Sequence, residues 1–408
     1  MDRSCVFAAG PKRPALRNSS DEAVSSHTLT VMAAAPRAFV HAWKVARANS
    51  LLMVIGAVIA LIWANASPAT YERFTHPLHF PVNDIAMAFF FGLAMKEIIE
   101  ATAPGGALHS LRRAGLPVIA AVGGMAGPAL LYVVMAGTSG HPELARGWAI
   151  PCATDIAFSY LVARMVFPPT SPAIPFLLLL AIADDALGLV LLAAFYPAAP
   201  LRPVYFVIFV AAACAIAWVL RSRRVRSFWP YVLGAGPVAW AGFYIGGIHP
   251  ALALVPVLPF LPHAARDPGL FVEPAPRPRD ALSEFEHWWE TPVEIILFLF
   301  ALTNAGVPIG GAGAATWIVL AALVVGKPMG ILIATWVAER VGFRRSEGLA
   351  WRAIFVLGVT AGIGFTVALF FTTAAFAPGA TLDQAKLGAL LSVSAGALAL
   401  LAGKVLKV

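Results

Sequence analysis

From Ser50 to the C-terminus the chain alternates between apolar stretches and brief polar connections. Each stretch runs to about 16–24 residues, the length a helix needs to cross a hydrocarbon core of about 30 Å. The pattern predicts twelve spans, starting near Ser50, Val82, Pro117, Trp148, Pro172, Pro203, Trp229, Pro250, Trp289, Ala314, Ala353 and Leu382. The fold class that follows is an all-α polytopic membrane protein. A membrane barrel is excluded, because its strands alternate in polarity and are about half as long. Residues 1–49 are polar and rich in Ser and Arg, and they predict a disordered cytoplasmic tail, with residues 36–47 as a short interfacial helix and Met32 as an alternative start. No apolar core of secretory-signal length precedes a small-residue cleavage site there. Residues 50–408 form one transmembrane domain, in which the Pro-rich connection at 262–283 separates eight spans from four.

Two of the predicted spans are interrupted. The fourth reads GWAIPCATDIAFSYLVAR, where Pro151 removes a backbone donor and Asp155 follows within about one turn. The eleventh reads AIFVLGVTAGIGFTVALFFTTAAF, with Gly358, Gly362, Gly364 and the polar Thr360 near its middle. Glycine weakens a helix by about 1 kcal/mol and adopts positive φ freely. Small residues also let helices pack closely in lipid, so close packing stands as an alternative to a break. Two interrupted spans in opposite halves favour paired broken helices, whose half-helix ends carry partial charges. Non-helical backbone at that depth is tolerated only where protein or a cavity surrounds it.

Charges placed against this apolar background point to chemistry. Asp184 and Asp185 sit side by side in PAIPFLLLLAIADDALGLVLLAAFY, residues 172–196. Carboxylates in such a stretch cost several kcal/mol unless bound or protonated. A loop joining two helices is the alternative, but it leaves stubs too short to cross. Asp155 is placed to neutralise positive helix N-termini. Lys327, in WIVLAALVVGKPMGILIATWV, is placed to neutralise C-terminal ends or to pair with an aspartate, and it lies too deep to reach an interface easily. Carboxylates are hard oxygen ligands suited to Na+, Li+ or protons. Neighbouring residues on a helix point about 100° apart, so Asp185 is expected toward a hydrated funnel and Asp184 toward Lys327. A pair that holds either a cation or protons exchanges one for the other when it alternates between membrane faces.

Composition agrees. Of 408 residues 60% are hydrophobic and 12% charged, about half the charge of a soluble chain. The formal net charge of +8 raises the question of nucleic acid, but of the 29 Lys and Arg only Arg73, Arg146, Arg202, Lys386 and the intramembrane Lys327 fall away from the cytoplasmic side. The positive-inside rule therefore accounts for the basicity with the N-terminus inside, and no nucleic-acid partner is expected. Cys5, Cys152 and Cys214 lack disulfide or metal-ligand spacing, and no cofactor is expected.

The segments NDIAMAFFFGLAMKE, PVIAAVGGMAGPALLY, WAIPCATDIAFSY, LLLLAIADDALG, LTNAGV, VVGKPMGI and GIGFTVALF, in this order, resemble the NhaA-type Na+/H+ antiporters from about Ser50 to the C-terminus. The resemblance implies twelve helices in inverted repeats, with the fourth and eleventh unwound and crossing at mid-membrane. It implies an electrogenic antiporter of a bacterial inner membrane that exports Na+ and Li+ in exchange for H+ by alternating access. Asp184 and Asp185 would bind the cation or the protons. Thr154 and Asp155 would occupy the unwound fourth helix, and Lys327 would balance charge there and pair with Asp184. Asp84 matches an aspartate of the second helix, Glu286 a carboxylate at the cytoplasmic mouth linked to pH response, and His249 a family histidine. Each of these three also has a structural reading: a helix cap for Asp84, a solvated loop acid for Glu286 and a cap partner beside Pro250 for His249.

The chain departs from the family in two places. Where the family commonly reads GLEVKREL, this chain has GLAMKEII, so Ala94 replaces an acid and Glu97 follows Lys96. The loop at 67–81 is short for the family's dimer-forming hairpin, which leaves a homodimer open. Rival classes fit less well. An intramembrane aspartyl protease wants its acids in YD and GxGD contexts, whereas the glycine stretch here is GIGF. A prenyl-diphosphate transferase needs a second acidic cluster. Another Na+-coupled solute transporter would need a solute pocket that the sequence does not suggest.

Overall fold

The computed structural model describes residues 51–109, 111–263 and 280–408, for 111–113 the backbone alone. The expected tail and most of the 262–283 connection lie outside the described residues. Those residues contain helices, turns and coil but no strand. Apolar side chains such as Leu130, Val204, Val207 and Ile208 point outward, while the interior holds both apolar and charged residues. That inversion is what a lipid solvent produces, because apolar surface gains nothing from leaving it.

The helices are α1 (Leu51–Ala66), α2 (Pro68–Thr75), α3 (Met87–Thr102), α4 (Leu111–Thr138), α5 (Ile156–Val166), α6 (Ala173–Phe195), α7 (Pro203–Ser222) and α8 (Gly236–Gly246). They continue with α9 (Ala281–Asn304), α10 (Ala314–Ala321), α11 (Lys327–Val341), α12 (Trp351–Ala361), α13 (Phe365–Ala375), α14 (Ala380–Leu391) and α15 (Ser394–Leu406). A single wider π turn, Ala322–Gly326, joins α10 to α11. Pro328 lacks the N–H that would bond the Val324 carbonyl, and such loosened turns form where the ladder loses a donor.

Among the described residues five helices are long and apolar enough to cross a membrane, or seven if each of two bent pairs is one span. The bent pairs are the two expected broken spans. Pro142–Cys152 meets Ile156–Val166 at 59°, and Trp351–Ala361 meets Phe365–Ala375 at 50°.

Other expectations need correction. No α-helix starts at Pro250; the chain there forms short 3-10 turns, Pro250–Leu252 and Leu258–Phe260. Pro256 and Pro259 withhold the donors a longer helix requires. The segment 67–81 is helical in large part rather than a loop, because Tyr71 on α2 buries its ring and donates its hydroxyl to Leu302 O at 2.8 Å. The ninth span starts earlier than Trp289, at Ala281, where Asp280 Oδ1 accepts the Ser283 N–H at 2.8 Å.

Glycine sets how closely the central helices approach. A Cβ at Gly330 on α11 would lie 2.0 Å from Gly123 O on α4, and one at Gly127 would lie 2.5 Å from Gly326 O. Each helix thus presents a Gly-xxx-Gly face to the other, which allows near backbone contact. This packing carries Lys327 into the interior.

Candidate functional site

The breaks in the two bent spans meet each other. In the fourth, Ala153 and Asp155 are extended (φ −87°, ψ 153° and φ −79°, ψ 101°), and in the eleventh residues 362–364 leave the helix. Backbone freed by unwinding needs new partners when buried. Asp155 N donates to Ile363 O at 2.8 Å, and Ser159 Oγ donates to Thr360 O at 3.0 Å. Each break therefore satisfies part of the other.

Asp155 stands at the crossing. Its Oδ1 accepts the Phe158 N–H at 3.1 Å, capping α5, and its Oδ2 accepts the Thr366 N–H at 3.2 Å, at the start of α13. The Thr366 hydroxyl also donates to Oδ2. One carboxylate thus faces two helix N-termini, whose partial positive charges favour an anion. That is the placement expected for Asp155 from sequence.

Asp184 and Asp185 lie mid-helix in α6, so the loop alternative is removed. Asp184 Oδ2 sits 3.0 Å from Lys327 Nζ, with both side chains fully buried, and accepts the Thr154 hydroxyl at 2.9 Å. Thr154 Oγ1 also lies 3.2 Å from Ala361 O, at the end of α12. Lys327 Nζ donates to Cys152 O at 2.6 Å, the last carbonyl of the first half of the fourth span. Both tasks expected of Lys327, pairing with an aspartate and neutralising a C-terminal end, fall to one ammonium.

The second oxygens of the pair are bare. Asp184 Oδ1 and Asp185 Oδ1 are shielded from solvent and have no hydrogen-bond partner among the described residues. Buried oxygens without donors are costly, and a cation or a proton removes that cost. Asp185 lines a narrow chamber of about 10 Å³, room for one water-sized body, walled by Phe90, Phe91, Ala94, Leu189 and Phe371. Asp185 is half-buried, and the chamber it lines is mostly apolar. Ala94, the departure noted from sequence, stands in its wall.

The remaining three candidates lie elsewhere. Asp84 is in a π turn ahead of α3, where its carbonyl accepts the Trp240 indole N–H at 2.8 Å, and no side chain caps that turn. His249 Nδ1 accepts the Ala251 N–H at 3.4 Å and its ring packs 4.7 Å from Phe370, the cap role weighed for it from sequence. Glu286 is on α9, not in a loop, and its Oε2 lies 2.7 Å from Lys96 Nζ. Lys96, only 3% exposed, also pairs with Glu97 at 3.2 Å and Glu100 at 2.9 Å.

Sequence reading missed three participants. Thr366 follows the glycine stretch as Thr154 follows Pro151, and that parallel was a usable signal. Glu100 sits one turn beyond Lys96, another signal. The Cys152 carbonyl had none, since any residue supplies one.

Comparison with known proteins adds independent evidence. The family described as Na+/H+ antiporter 1 matches residues 41–403. The chain is 45% identical to the Na+/H+ antiporter NhaA 1 of Pelobacter propionicus over 371 residues, covering 89% of this chain and 97% of that protein. It is 44% identical to NhaA of Geobacter sulfurreducens, with the same coverage. It is 46% identical to NhaA of Desulfitobacterium hafniense over 88% of this chain and 94% of that one. A match across almost the whole described structure, with the paired acids and both breaks in place, leaves one conclusion: the chain belongs to the Na+/H+ antiporter 1 family.

Proposed function

We propose that this protein is a secondary transporter, not an enzyme, and that it exchanges Na+ for H+ across a bacterial inner membrane by alternating access. One observation carries the proposal: Asp184 and Asp185 each keep an unpartnered, shielded oxygen where two broken spans cross. Such oxygens accept an alkali cation or protons, and charge balance forbids both together.

Lys327 and Thr154 hold Asp184 Oδ2, so Oδ1 remains for the ion. A cation lying between the two acids requires both ionised, and protons return as it leaves. Li+, with the same hard-ligand preference, is proposed as a second substrate. If two protons exchange for one Na+, each cycle moves one net charge, and a potential of 100 mV, negative inside, supplies about 2.3 kcal/mol toward Na+ export. The excess of Lys and Arg on one set of loops supports a cytoplasmic N-terminus. Sodium and pH homeostasis follow from that exchange.

The test uses liposomes that carry a pH-sensitive dye. Added Na+ or Li+ should move protons and added K+ should not, while Asp185→Asn should abolish the response. Wild-type rates in that variant would overturn the proposal.

A further inference from the structure

We propose that Thr366 is a positioning residue for cation binding, acting on Asp184 through Asp155 and Thr154; this rests on the antiport reading above. Thr366 is 2% exposed and grips one oxygen twice: its N–H reaches Asp155 Oδ2 at 3.2 Å and its hydroxyl donates to the same atom. Its Oγ1 also touches Met53 Sδ on α1. The residue before Asp155 is Thr154, whose hydroxyl donates to Asp184 Oδ2. Two hydrogen-bonded contacts joined by the Thr154–Asp155 peptide link therefore run from the start of α13 to the acid proposed to hold the ion.

Residues 153–155 lie outside any helix, so no helical ladder holds Thr154 in place. Its position is set by side-chain and cross-span contacts, which also include Asp155 N to Ile363 O at 2.8 Å, Thr154 Oγ1 to Ala361 O at 3.2 Å and the Phe158 N–H to Asp155 Oδ1 at 3.1 Å. Replacing the hydroxyl by a methyl sets an apolar group against a buried carboxylate oxygen and removes a charge-assisted hydrogen bond. The carboxylate then turns to find other donors. Thr154 shifts with it, and Asp184 Oδ2 loses one of its two partners, keeping only Lys327. The expected fault is in ion affinity more than in turnover.

Thr366→Val is isosteric and Thr366→Ser keeps the donor. In proteoliposomes at fixed pH, Thr366→Val should raise the apparent KM for Na+ about five- to tenfold with maximal rate within about twofold, and Thr366→Ser should restore the wild-type KM. In a Thr154→Ala background, Thr366→Val should add little further, because the link it acts through is already cut. Circular dichroism melting of all variants reports on folding. An unchanged KM in Thr366→Val, a KM effect fully additive with Thr154→Ala, or failure of Thr366→Ser to rescue would each overturn the inference. Absence of Na+-driven proton movement in the wild type would instead overturn the antiport reading itself.

Discussion

Lys327 Nζ and Asp184 Oδ2 lie 3.0 Å apart with no solvent exposure on either side chain. A buried pair costs several kcal/mol per ion in desolvation, recovered only when geometry and further hydrogen bonds are good. Here Cys152 O and Thr154 Oγ1 supply those bonds. In the antiport mechanism proposed above, the ammonium stands beside the acids proposed to bind the cation and competes with an entering ion.

Removing one partner should be worse than removing both. Lys327→Ala leaves Asp184 charged without its counter-ion, and the expected loss is about 3–5 kcal/mol. Lys327→Met combined with Asp184→Asn removes both charges and should melt closer to wild type, while transporting nothing. Thermal melting in detergent reads both. A single variant as stable as wild type would remove Lys327 from the charge balance.

The helix pair α4 and α11 sets the depth of Lys327. Gly330→Ala would push a methyl to 2.0 Å from Gly123 O. Overpacking of this kind costs about 1–3 kcal/mol. Gly137→Ala, on the same α4 with nothing within 4 Å of its Cβ, is the control and should be neutral or stabilising by up to about 1 kcal/mol. Equal melting temperatures for the two variants would contradict the close approach.

The second charged cluster should respond to salt. Lys96 pairs with Glu97, Glu100 and Glu286, which are 41%, 24% and 37% exposed. Lys96→Met leaves three carboxylates facing one another, which should lower melting temperature at low ionic strength and recover in part at high salt. Glu286→Gln alone should change stability by less than about 1 kcal/mol, since two carboxylates still hold the lysine and all three meet solvent. A salt-independent loss in Lys96→Met would show that packing, not charge, is at stake.

The paired acids, Lys327 and both breaks were legible because each is a polar or helix-breaking residue set against an apolar background, where any exception stands out. The stretch after Pro250 misled for the same reason. Its composition is as apolar as a span, but Pro256 and Pro259 decide its backbone. α2 was invisible because it is short and polar and is held by Tyr71, a tertiary contact with no local signature. The chamber around Asp185 likewise depends on how Phe90, Phe91 and Phe371 converge from two helices far apart in sequence. Charges report on themselves, whereas walls and carbonyl ligands need the fold.

The direct test of shared occupancy is the apparent Na+ KM of the reconstituted wild type, measured across a pH series. Competition for Asp184 and Asp185 predicts that KM rises about tenfold for each unit of acidification if one proton is displaced, and more steeply if two are. A KM that stays constant with pH would mean sodium and protons do not share these oxygens.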